Sequence, residues 1–182
     1  MSGSEKQRKL QEVVSAADNE KPIGVDVPGF PVLRDAVLAL LNEYPGLNGR
    51  TITYSGLSED DGISLEAESG ALVYINQPDI LGGIHQQCQF PFYIVRRGDT
   101  STEYQKLRAT EFLDNLGAWL CREPVTINGV EHRLTEYPPL TGGRAIVKAE
   151  RSNTYGLEPN KNNTQDWVIP VTVYYTHDFM KP

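Results

Sequence analysis

The sequence predicts an α+β fold, in which a mainly antiparallel β-sheet is backed on one face by two helices. Two segments carry apolar residues at helical spacing, and several others alternate apolar with polar residues. The C-terminal region contains two β-rich stretches around a polar connector, which indicates a long β-hairpin. An N-terminal arm precedes this fold.

The arm and its linker, residues 1–29, are predicted to be separate from a single α+β domain at residues 30–182. Residues 4–17 have apolar side chains at helical spacing, but this stripe is thin and the other face is charged. A short helix of this kind needs a partner surface to be stable. Residues 20–29 contain two prolines and two glycines, which is typical of a linker.

The first helix of the domain is predicted at residues 30–44. Pro31 suits its first turn, and the Tyr44-Pro45-Gly46 sequence ends it. Three strand-like segments follow, at residues 51–57, 63–69 and 71–77. The segment PDILGG, which comes next, is expected to be a flexible loop.

The next strand is predicted at residues 85–97, because Cys88, Phe90, Phe92 and Ile94 alternate with other residues. Pro91 in this run indicates an edge strand or a bulge, since proline has no N–H group for the ladder. A second helix is predicted at residues 101–122. Its expected apolar face consists of Tyr104, Leu107, Phe112, Leu113, Leu116, Trp119 and Leu120.

Two hairpins complete the domain. The Asn128-Gly129 pair within residues 125–134 is typical of a tight hairpin turn. The final hairpin is predicted to pair residues 144–152 with residues 166–179. Its connector is too long for a minimal turn, and long ordered loops are commonly functional. We therefore expect the tip, residues 155–165, to contact other protein.

Composition excludes some classes of function. The chain of 182 residues has a net charge of -7, which argues against a protein that reads base sequence through a basic face. An acidic wall would still let DNA pass without binding it. Neither a signal peptide nor an apolar run of membrane-spanning length is evident, so synthesis in the cytoplasm and no membrane contact are expected. Cys88 and Cys121 are expected to be free thiols.

The sequence contains no recognisable catalytic pattern, and no enzymatic activity, cofactor or metal is expected. His85, His132 and His177 lack the spacing of an acyltransferase base or a zinc pair. His177 and Asp178 are adjacent on a predicted strand, so their side chains should point to opposite faces. Gly142-Gly143-Arg144 is expected to be a plain turn, because the lysine of a phosphate loop is missing.

Five segments together resemble a known family: FPVLRDAVLALLNEYPGL, CQFPFYIVRR, FLDNLGAWLCREPVTINGVEHRL, LTGGRAIVKAERSNTYGLEPN and QDWVIPVTVYYTHDF. They are similar to the tail-terminator, or minor capsid, proteins encoded by long-tailed phages and prophages. Some of these relatives carry the label "chloramphenicol resistance protein". The resemblance covers residues 30–179 and leaves out the arm.

This resemblance implies a virion structural protein at the head–tail junction. A tail terminator of this family forms a homohexameric ring that caps the tail tube and stops its polymerisation. The ring joins the tail to the head-completion and connector proteins, and DNA passes non-specifically through its lumen. Three alternatives stay open: a neck adaptor on the connector side, an acyl-transferring resistance enzyme, and a soluble adaptor outside any virion.

Candidate interface residues are assigned to two loops. In the hairpin tip they are Tyr155, Gly156, Leu157, Glu158, Pro159, Asn160 and Lys161. In the loop at residues 76–83 they are Gln77, Asp79, Ile80 and Leu81. The acidic run of Glu59, Asp60 and Asp61 is predicted either to face the lumen or a basic partner, or to be a solvated turn. The acidic spacing does not match a calcium loop.

Overall fold

The structure is a computed structural model that describes residues 21–58 and 61–182. Within this part of the chain, two helices, one eight-stranded sheet and a separate two-stranded sheet are present, which confirms the predicted α+β class. The predicted helix at residues 4–17 lies outside the described residues.

The helices are α1 (Gly29–Leu41) and α2 (Glu103–Leu120). The strands are β1 (Gly24–Val25), β2 (Ile52–Tyr54), β3 (Gly62–Ala67), β4 (Leu72–Pro78), β5 (Gly83–Asp99), β6 (Val125–Ile127), β7 (Val130–His132), β8 (Arg144–Arg151), β9 (Tyr155–Gly156) and β10 (Thr164–Met180). Strands β6 and β7 form the small sheet, and their Asn128-Gly129 turn has positive φ at both residues, as the sequence predicts.

The large sheet is built on β5 and β10, which are 17 residues long and pair antiparallel along their whole length. Strands β4 and β3 lie end to end along the free side of β5, and β8 and β9 do the same along β10. Strand β1 extends the sheet beyond β4. The pair β2–β3 is parallel, whereas the other described pairs are antiparallel.

Each of the two long strands contains a proline at the gap between its end-to-end partners. The carbonyl of Pro91 accepts a hydrogen bond from Glu68 N at 3.2 Å, and that of Pro170 accepts from Ser152 N at 3.0 Å. In an antiparallel strand, the nitrogen and the carbonyl of one residue point to the same side. The ring nitrogens of Pro91 and Pro170 therefore also face the gaps between the end-to-end partner strands. Pro91 therefore lies in an interior strand, and the predicted edge position or bulge is wrong.

Both helices pack on one face of the sheet. The alternation predicted for β5 is confirmed, because Cys88, Phe90, Phe92 and Ile94 are all buried on this face. From the helices, the buried residues include Leu33, Val37, Leu40, Leu41, Leu113, Leu116, Trp119 and Leu120. The prediction is wrong for Tyr104 and Leu107, which are 65% exposed because the first turns of α2 extend beyond the core.

Part of the predicted linker belongs to the sheet. Residues Gly24 and Val25 pair with β4, and Ile23 N donates to Val73 O at 2.8 Å. Asp26, directly after β1, is 5% exposed and receives two hydrogen bonds from Arg144, at 2.7 and 2.8 Å. This ion pair fixes the start of the described chain against the final hairpin.

Candidate interaction surfaces

The predicted interface residues form two groups at opposite ends of the long strand pair. The β4–β5 turn lies beside Met180, because Gly83 pairs with Met180 at this end. The hairpin tip lies at the other end, where Asp99 pairs with Thr164. Since each strand advances about 3.3 Å per residue, these ends are roughly 50 Å apart. The structure therefore does not combine the two groups into one site.

The β4–β5 turn is closed by its own aspartate. The Oδ1 atom of Asp79 accepts hydrogen bonds from Leu81 N at 2.7 Å and Gly83 N at 2.9 Å. The backbone of Asp79 also donates to Gly83 O, and Lys181 N donates to Gly82 O, both at 2.8 Å. The segment expected to be a flexible loop is thus a short turn that is closed by hydrogen bonds. Gln77 lies before the turn, in β4 opposite His85.

This turn exposes two large aliphatic side chains. Ile80 is fully exposed, and Leu81 is 82% exposed. Met180, which sequence reasoning did not select, lies next to them and is 67% exposed. Met180 reaches this turn because β10 pairs with β5, which places Met180 opposite Gly83, almost a hundred residues earlier in the chain. The sequence has no local signal for this pairing. We call these three side chains the turn surface.

The hairpin tip is more regular than predicted. Tyr155 and Gly156 form β9, which pairs with Val168 and Trp167 of β10. Strand β10 starts at Thr164, and the remaining loop spans residues 157–163. This loop is held by hydrogen bonds from Leu157 N to Asp166 O at 2.8 Å and from Asn160 N to Thr164 O at 2.7 Å.

Exposed apolar groups also occur at the tip. Tyr155 and Leu157 are each 46% exposed, and Glu158, Pro159, Asn160 and Lys161 are exposed as well. The first turns of α2 lie nearby, because Thr100 N donates to Asn163 O at 2.9 Å. Tyr104 and Leu107 therefore extend this end of the molecule with two further exposed apolar side chains. Tyr155 pairs with Val168, on the sheet face opposite the helices, so we define the tip surface as Tyr155 and Leu157 alone.

Of the predicted acidic run, only Asp61 is within the described residues, since Glu59 and Asp60 lie outside them. Asp61 is exposed and forms an ion pair with Arg50, whose Nη2 lies 3.3 Å from Oδ2. Because β3 begins at Gly62 and pairs there with Arg97, Asp61 is at the tip end of the sheet. Arg97 also connects this region to β10 through two hydrogen bonds to Asp166, at 2.7 and 2.9 Å.

His177 and Asp178 point to opposite faces, as predicted. The His177 side chain contacts Gln86 at 3.1 Å and lies 3.9 Å from Asp26, whereas Asp178 pairs with His85. Cys88 and Cys121 are free, and burial raises the pKa of each thiol to about 11. Among residues 21–58 and 61–182, no three His, Cys, Asp or Glu side chains are grouped to hold a metal ion.

The Gly142-Gly143 segment is a turn between a buried ion pair and the end of β10. Both glycines have positive φ, and Asp178 N donates to Gly143 O at 2.8 Å. The guanidinium of Arg144 is directed inward to Asp26, so it does not face a ligand. This arrangement agrees with the plain turn that the sequence predicts.

Comparison of the chain with protein-family models and with curated proteins finds no match. Neither α1 nor α2, the helices within the described ranges, combines the length and apolar character required to cross a bilayer.

Proposed function

We propose that this protein is a tail terminator: a virion structural protein that forms a homohexameric ring at the head–tail junction of a long-tailed phage. The ring caps the tail tube, stops its polymerisation and connects the tail to the head-completion proteins. DNA passes through its lumen. The motivation is the resemblance of residues 30–179 to this family, together with an α+β fold of the kind that the resemblance implies.

The turn surface carries this proposal. Ile80 and Leu81 are exposed on a turn that five hydrogen bonds hold in place, so ordering this turn on binding costs little entropy. Burying each side chain against a partner contributes about 1.5–3 kcal/mol. A rigid, exposed aliphatic pair of this kind is well suited to dock against another protein.

The position of the two surfaces also supports an assembly role. The turn surface and the tip surface are separated by the full length of β5 and β10, so one subunit can meet different neighbours at its two ends. A protein that joins a tail tube to a connector needs two such surfaces. Heterologous contacts between subunits close into a ring when their rotation permits.

The acidic character of the chain suits a DNA passage. Its net charge of -7 repels phosphate and limits sticking of DNA to the lumen wall. Glu59, Asp60 and Asp61 remain the candidates for this wall. Asp61 contributes less than a free carboxylate, because Arg50 partly neutralises it.

Electron microscopy of purified protein and of phage necks tests the proposal. We expect six-membered rings on the last ring of the tail tube, and tubes of defined length that end in this protein. Observing only monomers, or locating the protein on the capsid shell, would contradict it.

Variants of the turn surface make the test specific. Ile80→Glu and Leu81→Glu should leave the fold intact but abolish the capping of tail tubes, because each places a charge in the docking contact. Val130→Glu is the matched control, since Val130 is also an exposed aliphatic residue but lies in the small sheet. If all three variants cap tubes equally well, the turn surface has no role in docking.

A further inference from the structure

A cavity at the tip end of the molecule contains three arginine side chains. It has a volume of about 370 Å³ and lies between α2, the chain after α1 and the β6–β7 turn. Arg50, Arg96 and Arg108 line it, together with Glu111 and Phe112. Cavities of this size accommodate a small ligand or one inserted side chain. We call it the arginine cavity.

Arg96 has no hydrogen-bond partner for its buried Nε atom within the described part of the chain. Its guanidinium carbon lies 4.4 Å from the centre of the Phe112 ring, which contributes a cation–π contact but no counter-charge. Arg151 also has an unpartnered Nε, but its guanidinium reaches Glu123 at 3.5 Å. An unpaired charge in a partly buried position is costly.

The other two arginines already have partners. Arg50 pairs with Asp61 at 3.3 Å, and Arg108 donates to the Tyr104 hydroxyl at 3.0 Å. Burial lowers the pKa of Arg96 to about 10, and repulsion from Arg50 and Arg108 acts in the same direction. Arg96 is still charged at neutral pH, and the attraction of Asp61 opposes the shift, but Asp61 is paired with Arg50. Among the described residues, no carboxylate forms an ion pair with Arg96.

The geometry points to a carboxylate-binding site in the arginine cavity, with Arg96 and Arg108 as the groups that hold the ligand. A guanidinium presents a planar fork of N–H donors that matches a carboxylate. Of the residues that the structure describes here, Asp61 and Glu111 offset two of the three arginines, so one positive charge remains. That surplus fits one carboxylate better than a phosphate dianion.

The ligand is either a free small carboxylate or an acidic side chain of a docked protein, and both have the same recognition chemistry. The wall residues Phe112 and Ile127 offer apolar surface to the carbon chain that carries the carboxylate. This site does not depend on the proposed role in phage tails, so either inference can fail while the other holds.

Calorimetric titration of the full chain with propionate, N-acetylglutamate α-amide and inorganic phosphate tests the site. We expect both carboxylates to bind more tightly than phosphate. Tighter binding of the glutamate derivative indicates a protein side chain as the natural ligand, and equal binding indicates a free small carboxylate. The idea is overturned if neither carboxylate binds, or if phosphate binds more tightly than both.

Variants identify the residues that hold the ligand. Arg96→Met and Arg108→Gln should each weaken carboxylate binding by roughly tenfold, the loss expected for one charged contact. Arg133→Gln is the matched control, because Arg133 is exposed and lies outside the arginine cavity. Equal affinities in all three variants would contradict the assignment.

A stability measurement separates binding from a structural role. Arg96→Met keeps an unbranched side chain that is shorter than arginine, and it removes both the unpaired charge and the cation–π contact with Phe112. We expect its unfolding temperature without ligand to equal or exceed that of the unmodified protein. A clear decrease would mean that Arg96 stabilises the fold, and together with unchanged propionate binding it would exclude the site.

Discussion

At the residue scale, the Asp26–Arg144 pair connects segments that are 118 residues apart. Asp26 also accepts hydrogen bonds from Tyr175 at 2.9 Å and from Gly29 N at 3.0 Å. The side chains of the pair are 3% and 7% exposed. Sequence reasoning placed Asp26 in a linker and Arg144 where a turn meets the first strand of the final hairpin, because nothing local indicates that the two residues meet. A long-range pair of this kind requires the three-dimensional structure.

Asp26→Asn should lower the free energy of unfolding by about 3–5 kcal/mol, because it leaves the charge of Arg144 buried and unpaired. Chemical denaturation monitored by circular dichroism measures this change. Asp35→Asn is the control, since the Asp35–Arg34 pair is at the surface and should contribute less than about 1 kcal/mol. Equal losses in the two variants would mean that burial of the Asp26–Arg144 pair is unimportant.

His177 gives the molecule a dependence on mild acid. Burial lowers the pKa of His177 below its ordinary value of 6.5, and the charge of Arg144 lowers it further, although Asp26 and Asp178 oppose this. Because the folded protein resists protonation, its stability is fully present above pH 6.5 and decreases as the pH falls below that value. Denaturation curves at several pH values should show this decrease, and His177→Gln should reduce it.

The control for this prediction is His132→Gln, which replaces a histidine of β7, in the separate two-stranded sheet. It should keep the pH dependence of the unmodified protein. An unchanged slope between pH 7 and pH 5 in His177→Gln would contradict the prediction.

The Asp26 carboxylate adds a second loss of stability at lower pH. Burial alone raises the pKa of Asp26, but hydrogen bonds from Arg144 and Tyr175 outweigh it and leave the pKa below 3.8.

At the scale of elements, the sequence predicted what depends on local periodicity. The core face of β5 follows from the alternation of Cys88, Phe90, Phe92 and Ile94, and the β6–β7 turn follows from Asn128-Gly129. Periodicity does not show where the core ends, so Tyr104 and Leu107 were assigned to it although their helix extends beyond the sheet. Similarly, β9 was missed because it is stabilised by pairing with a distant strand.

The turn before β8 lies against the end of β10, and a substitution in it tests how closely these two segments pack. A Cβ atom on Gly143 would lie 2.0 Å from the Asp178 carbonyl oxygen, and its φ is +73°. Gly143→Ala should therefore destabilise the protein by about 2 kcal/mol or more. Gly129→Ala is the matched control, because Gly129 has a similar φ of +77° but no atom within 4 Å of the added Cβ. Thermal unfolding should show a larger decrease in unfolding temperature for Gly143→Ala than for Gly129→Ala. Equal decreases would mean that the turn and the end of β10 can move apart without a cost in stability.

At the scale of the whole molecule, the fold holds two exposed apolar surfaces at the ends of one rigid strand pair. The sequence selected Ile80, Leu81, Tyr155 and Leu157, because Gly, Pro and Asn residues mark both loops as interruptions between strands. It did not show that they lie roughly 50 Å apart, since their separation follows from the full-length pairing of β5 with β10. This separation lets each loop contact a different neighbour.

Substitutions at the two ends of the strand pair should accordingly block different steps of assembly. Leu81→Glu alters the turn surface, and Leu157→Glu alters the tip surface. Each places one charge where the surface would be buried against its partner protein. We expect Leu81→Glu to form rings that no longer cap tail tubes, and Leu157→Glu to form capped tubes that no longer join heads. Electron microscopy of assembly mixtures distinguishes tubes of uncontrolled length from capped but headless tails. If both variants stop at the same step, the two surfaces serve one interface, and the rigid strand pair does not separate two partners.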